Sequence, residues 1–159
     1  MIKIRENLDK ILMSICVTLF MFMTVVGTYQ ITSRYVFKSP STVSEELISY
    51  SFAWTAMLAA AYIFGKRDHM RMGFFVERFS KTNQIYVSIL AEIAVFLFAV
   101  GVLLKGGISI TILTMTQTTP ALRISMGYVY SIIPICGVII CIYSVLNAGD
   151  LFKKLKGEM

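Results

Sequence analysis

Histidine is almost missing from this chain: the 159 residues hold one, His69. Haem ligation between helices normally takes more than one histidine and a metal centre takes several donors, so a lone loop histidine reads as a solvated or capping side chain. Cysteine is scarce as well. Cys16, Cys136 and Cys141 all fall in apolar stretches, with neither a metal-ligand spacing nor an extracellular disulfide pattern, and read as packing residues. There is no glycine-rich phosphate loop and no nucleophile with a histidine nearby, which argues against an enzyme. No internal repeat and no discontinuous midplane helix is evident, which argues against a self-contained secondary transporter.

What is abundant is apolar sequence. Hydrophobic residues make up 57% of the chain and the mean hydropathy is +0.73, far above a soluble domain. A hydrocarbon core of roughly 30 Å takes about 20 apolar residues per helix. Uncharged intervals run over 11–33, 47–65, 82–104 (interrupted by Glu92 alone) and 124–149. The chain therefore reads as an all-α integral membrane protein with four transmembrane helices. The expected layout is an interfacial segment at 1–10, spans at 11–33 and 44–65, a basic loop at 66–83, a third span with an outer extension at 84–118, a fourth span at 127–149 and a basic tail at 150–159. No small-x-small cleavage site follows the first apolar run before Arg34, so the first span is expected to be retained.

Positive charge sets the expected orientation. Lys3, Arg5, Lys10, Lys66, Arg67, Arg71, Arg78, Lys81, Lys153, Lys154 and Lys156 fall on one side, and Arg34, Lys38, Lys105 and Arg123 on the other. This imbalance puts both termini in the cytoplasm. A net charge of +6 laid against an anionic leaflet needs no nucleic acid to explain it. Within the basic loop, Met72, Phe75, Val76 and Phe79 follow a helical spacing, which predicts a short amphipathic helix on the inner leaflet. Lys66, Arg67, Arg71, Phe75 and Phe79 are its anchoring candidates, with membrane lipids as their partners.

Three carboxylates stand near or within the spans. Thr42 and Glu45 are in the T-x-x-E relation of a capping box, and both Glu45 and Glu46 lie in a first helical turn, where the helix dipole favours negative charge. Arg34, across the short connection, is the expected partner of Glu46. Glu92 lies inside the third span. It is either hydrogen-bonded at a helix seam or a proton-coupled site in a dimeric exporter, and both readings stay open here. A redox anchor carrying a cofactor is a third class, which a visible absorption band would reveal.

The order of several short motifs resembles a known family. Ser33-Arg34-Tyr35, Phe37, Pro40, Ser44-Glu45-Glu46-Leu47, Ser51-Phe52-Ala53-Trp54, the small residues at 59–61, the run from Gly65 to Met72 and the stretch from Thr119 to Pro134 are similar to the small membrane subunit, DctQ or SiaQ type, of tripartite ATP-independent periplasmic (TRAP) transporters. The chain departs from the family pattern at Val43, where a tryptophan is common, and at Met72 and Gly73, where an acidic residue is common. The resemblance implies a multi-pass protein of the bacterial inner membrane. Its expected partners are a large membrane subunit carrying the substrate and sodium sites, and a soluble periplasmic protein that delivers an organic anion of the sialic acid or C4-dicarboxylate class. No cofactor is expected in this subunit. It also implies that the surface from Arg34 to Glu46 and from Thr116 to Arg123 docks the binding protein. The helical stripe of Glu46, Tyr50 and Trp54, together with Glu92, would supply contacts to the large subunit or the scaffold.

Overall fold

The computed structural model describes residues 2–66 and 81–158, all helix and loop. His69 and the anchoring candidates Arg67, Arg71, Phe75 and Phe79 lie outside the described residues, as does the amphipathic helix expected around them. We call the end that holds both chain termini the inner end and the opposite one the outer end.

Helix α1 runs unbroken over Ile2–Tyr35. The helix does not break at residue 10, because no proline or glycine interrupts this stretch, and Arg5 and Asp9 bond to side chains of the last helix. The hydroxyls of Thr18, Thr24, Thr28 and Thr32 each donate to the carbonyl four residues back, at 2.8–2.9 Å, which satisfies them without water.

Helix α2 covers Thr42–Lys66. Its entrance is one residue earlier than the capping-box pattern suggests. Ser41 Oγ accepts the Ser44 N–H at 3.4 Å, and Ser44 Oγ donates to the Ser41 carbonyl at 3.1 Å. Glu45 is thereby left to turn toward α1.

The third span is composite: α3 (Lys81–Phe98), a π-helical segment (Ala99–Gly106) and α4 (Gly107–Leu113). It ends at Leu113, short of residue 118, because Thr114 leaves helical geometry at φ −91° and ψ 0° and the chain enters a hydrogen-bonded loop. Lys105, counted among the outer charges, falls within the apolar helical run Tyr86–Leu113. The fourth span comprises α5 (Met126–Tyr130) and α6 (Ile132–Glu158). A single residue, Ser131, separates them. Pro134 has no N–H to offer the Tyr130 carbonyl, so the helical ladder is interrupted at this turn.

Among the described residues, four helical runs are long and apolar enough to cross a membrane. They form a layer in which α1 packs on α2, α2 on α6, and α6 on α3 and the π segment. The fourth span is the centre of that layer, since 33% of its apolar window is buried against 6%, 11% and 6% in the others. The core joins Leu12, Leu58, Ala61, Ala99, Ile132, Cys136, Ile140 and Tyr143. Small residues make this close packing possible: a Cβ on Gly65 would lie 2.6 Å from the Tyr143 ring, and one on Gly107 2.9 Å from Ile133.

Candidate functional site

The outer end is built around Glu46. The Thr42–Lys66 helix starts at the outer boundary and carries this carboxylate one turn in, toward the loop that links α4 to α5. Oε1 accepts the N–H of Ala121 and Oε2 the N–H of Leu122, both at 2.9 Å. Two successive main-chain donors form a small anion-binding concavity, and bonds to an ionised acceptor are stronger than neutral ones. Glu46 is therefore not the partner of Arg34. That guanidinium pairs with Glu45 at 3.3 Å, with both side chains about half exposed.

The loop gripped by Glu46 is ordered by its own bonds. Thr119, 1% exposed, donates its N–H to the Ile124 carbonyl at 2.8 Å and accepts the Ile124 N–H on Oγ1 at 3.2 Å. The Met126 N–H reaches the Gln117 carbonyl at 2.8 Å, and Ser125 caps α5 by accepting the Gly127 N–H at 3.2 Å. Arg123 closes the turn at φ 55°, exposed to solvent, and Lys38 takes a similar conformation, φ 52°, in the facing connection. An open cleft of about 540 Å³ lies between the start of α2 and the 120–121 turn, lined by Thr42, Glu45, Glu46, Ser49, Tyr50, Pro120 and Ala121.

Below Glu46 the stripe continues within the chain. The Tyr50 hydroxyl lies 3.8 Å from Met126 Sδ, and the Trp54 indole N–H donates to the Val129 carbonyl at 3.0 Å. Glu46, Tyr50 and Trp54 thus form a polar seam between α2 and the loop with α5. A tryptophan and tyrosine near a membrane boundary commonly anchor to headgroups, but here their polar atoms are used to align two helices.

A second polar cluster occupies the inner end. Arg5 donates to Asn147 and pairs with Asp150 at 3.4 Å, and the Tyr143 hydroxyl donates to Asp9. Ser144 Oγ lies 3.2 Å from Glu92 Oε2 and 3.1 Å from the Glu92 carbonyl, so Glu92 is held at the seam of α3 and α6. The Lys66 ammonium stands 4.5 Å above the Tyr62 ring. Arg5, Asp9, Tyr143, Ser144 and Asn147 were not among the expected site residues. The available signal was polar residues at helical spacing, 143, 144 and 147, on one face of an otherwise apolar span.

No group of three or more metal-donor side chains occurs among the described residues. Among the described residues the arrangement holds helices together and presents a surface.

Several known proteins are similar to this chain in sequence. The family model "Tripartite ATP-independent periplasmic transporters, DctQ component" matches residues 23–154. The chain is 26% identical over 155 residues to the sialic acid TRAP transporter small permease protein SiaQ of Vibrio cholerae, covering 98% of this chain and 87% of that one. It is 21% identical over 153 residues to a Haemophilus influenzae protein provisionally named a TRAP transporter small permease protein, covering 96% and 94%. It is also 33% identical over 85 residues to the sialic acid TRAP transporter permease protein SiaT of Haemophilus influenzae, which covers 51% of this chain but 14% of that much longer one.

Proposed function

This chain belongs to the DctQ component family of the tripartite ATP-independent periplasmic transporters, and on that premise we propose that it is the static scaffold subunit of such a transporter. It is a multi-pass protein of the inner membrane from a transporter-subunit family. In the proposed arrangement both termini face the cytoplasm, as the distribution of Lys and Arg favours. A large membrane subunit carries the substrate and sodium sites and moves against this layer of helices. A periplasmic binding protein delivers an organic anion to the outer face, and the SiaQ relative makes sialic acid the first substrate to test.

The observation that carries this reading is the Glu46 grip on residues 121 and 122. A surface that another protein must dock against repeatedly works best when its loops are preorganised, because less ordering is then lost on binding. The bonds within the loop and the carboxylate beneath it supply that order. Arg123 and the Arg34–Glu45 pair then offer charges at a defined height around the cleft. The engagement of Glu92 by Ser144 supports a role in helix register over proton coupling in an exporter.

Uptake of labelled sialic acid into vesicles holding the small and large subunits, with a sodium gradient and purified binding protein, tests the reading. Glu46→Ala should lower uptake at subsaturating binding protein while insertion of the protein is retained. Equal uptake in vesicles lacking this chain would overturn the scaffold role.

A further inference from the structure

Two kinds of glycine stand out among the described residues. At Gly65, Gly107, Gly127 and Gly137 an added Cβ would come within 3.0 Å of a neighbour, so packing inside the chain requires them. At Gly101 and Gly106 it would meet nothing within 4 Å. Both of these sit in the π-helical segment Ala99–Gly106, exposed on the side away from α6. Glycine weakens a helix, and no close neighbour among the described residues accounts for it at either position.

Lys105 lies between them in sequence and is exposed. A π turn places residues four and five apart on one face, so 101, 105 and 106 share a surface, with Leu97 and Val102 exposed beside it. Lys105 stands about 12 Å short of the outer end of its span at ~1.5 Å per residue. The adjoining Gly107 abuts Pro134, well inside the fourth span Met126–Leu151. The ion pairs among the described residues are Arg5–Asp150 and Arg34–Glu45, and neither involves Lys105. A charged group at membrane depth is costly unless it meets protein or water, and it commonly pairs. Paired small residues, for their part, let a neighbouring helix approach closely. In the SiaT relative, a segment similar to about half of this chain shares its polypeptide with far more sequence, since the match covers only 14% of that protein.

Resting on the function proposed above, we infer that the Gly101–Lys105–Gly106 face seats a membrane-spanning helix of the large permease subunit that carries a carboxylate opposite Lys105. The glycines set the close approach, and the ion pair sets register and excludes an apolar competitor.

The test uses the full complex. A photoreactive residue is placed at position 101 or 106 of a tagged chain co-expressed with the large subunit, and recovery of the large subunit is measured in parallel for Lys105→Glu. The inference expects a cross-link to the large subunit from both positions. It also expects at least ~10-fold lower recovery for Lys105→Glu, as for breaking one partner of a desolvated charge pair. Replacing the cross-linked helix's acid by lysine should restore it. If the wild-type complex is recovered but the probes label lipid alone, or Lys105→Glu is recovered as well as wild type, the face is lipid-facing and the inference fails while the scaffold reading stands. If the wild type recovers no large subunit, both fail together.

Discussion

The outer and inner ends of this helix layer are fastened by different chemistry. At the outer end a side chain holds main chain: the Glu46 carboxylate accepts two backbone N–H groups, and the indole of Trp54 donates to a backbone carbonyl. At the inner end side chain holds side chain, through Arg5 with Asn147 and Asp150, and Tyr143 with Asp9. The outer partners belong to a loop and to the short helix α5 that ends at Tyr130, where backbone polar groups lack helical partners and need satisfying wherever water is scarce. The inner partners project from regular helices, whose backbone groups are already paired, so side chains do most of the joining, with Ser144 also reaching the Glu92 carbonyl. An outer face built on backbone bonds tolerates changes of loop side chain; an inner face built on side chains does not.

The contrast orders the expected effects of substitution. Glu46→Ala should be the most damaging, about 2–4 kcal/mol, because two main-chain donors lose a charged acceptor together. Thermal unfolding in detergent and proteolysis of the 114–125 loop would register it, whereas Leu122→Ala should leave the grip intact. Gly65→Ala comes next at about 1–3 kcal/mol, since its methyl would strike the Tyr143 ring. Combining it with Tyr143→Leu should recover part of the loss in the same melting assay. Tyr143→Phe alone should cost about 1 kcal/mol, and a double-mutant cycle with Asp9→Asn should show that the two changes are not additive. Smallest is Arg34→Ala, below about 1 kcal/mol and further reduced by salt, because the pair with Glu45 is half exposed. A larger loss for Arg34→Ala than for Glu46→Ala would reverse the ranking and mean that the ion pair, not the backbone grip, organises the outer end.

Much of the fold was legible in advance. Four uncharged runs of sufficient length became four spans, and the threonines of α1 remained compatible with lipid because each bonds its own helix. The errors cluster where charge was read by position alone. Lys105 was counted with the outer charges at the start of a helical extension to residue 118; the helix does continue past it, but ends at Leu113. Glu46 was matched to Arg34 as the nearest opposite charge across the connection, but its partners lie some seventy-five residues away in the chain. A sequence displays charges and hides backbone donors, so a carboxylate that binds main chain is assigned to the wrong partner. Asp9 and Asn147 were passed over for the same reason, each being unremarkable until the opposite chain end is brought beside it.

Composition and the spacing of charges alone decided that this is a four-span membrane protein, because the transfer of long apolar runs into hydrocarbon depends on length and hydropathy and hardly on what lies alongside. Folding in three dimensions decided which helix is central, which glycines are needed inside the chain, where Glu46 and Glu92 direct their oxygens, and that Lys105 remains within a span on an outward face. Those outcomes depend on contacts between residues far apart along the chain, and such contacts exist only once the helices have packed.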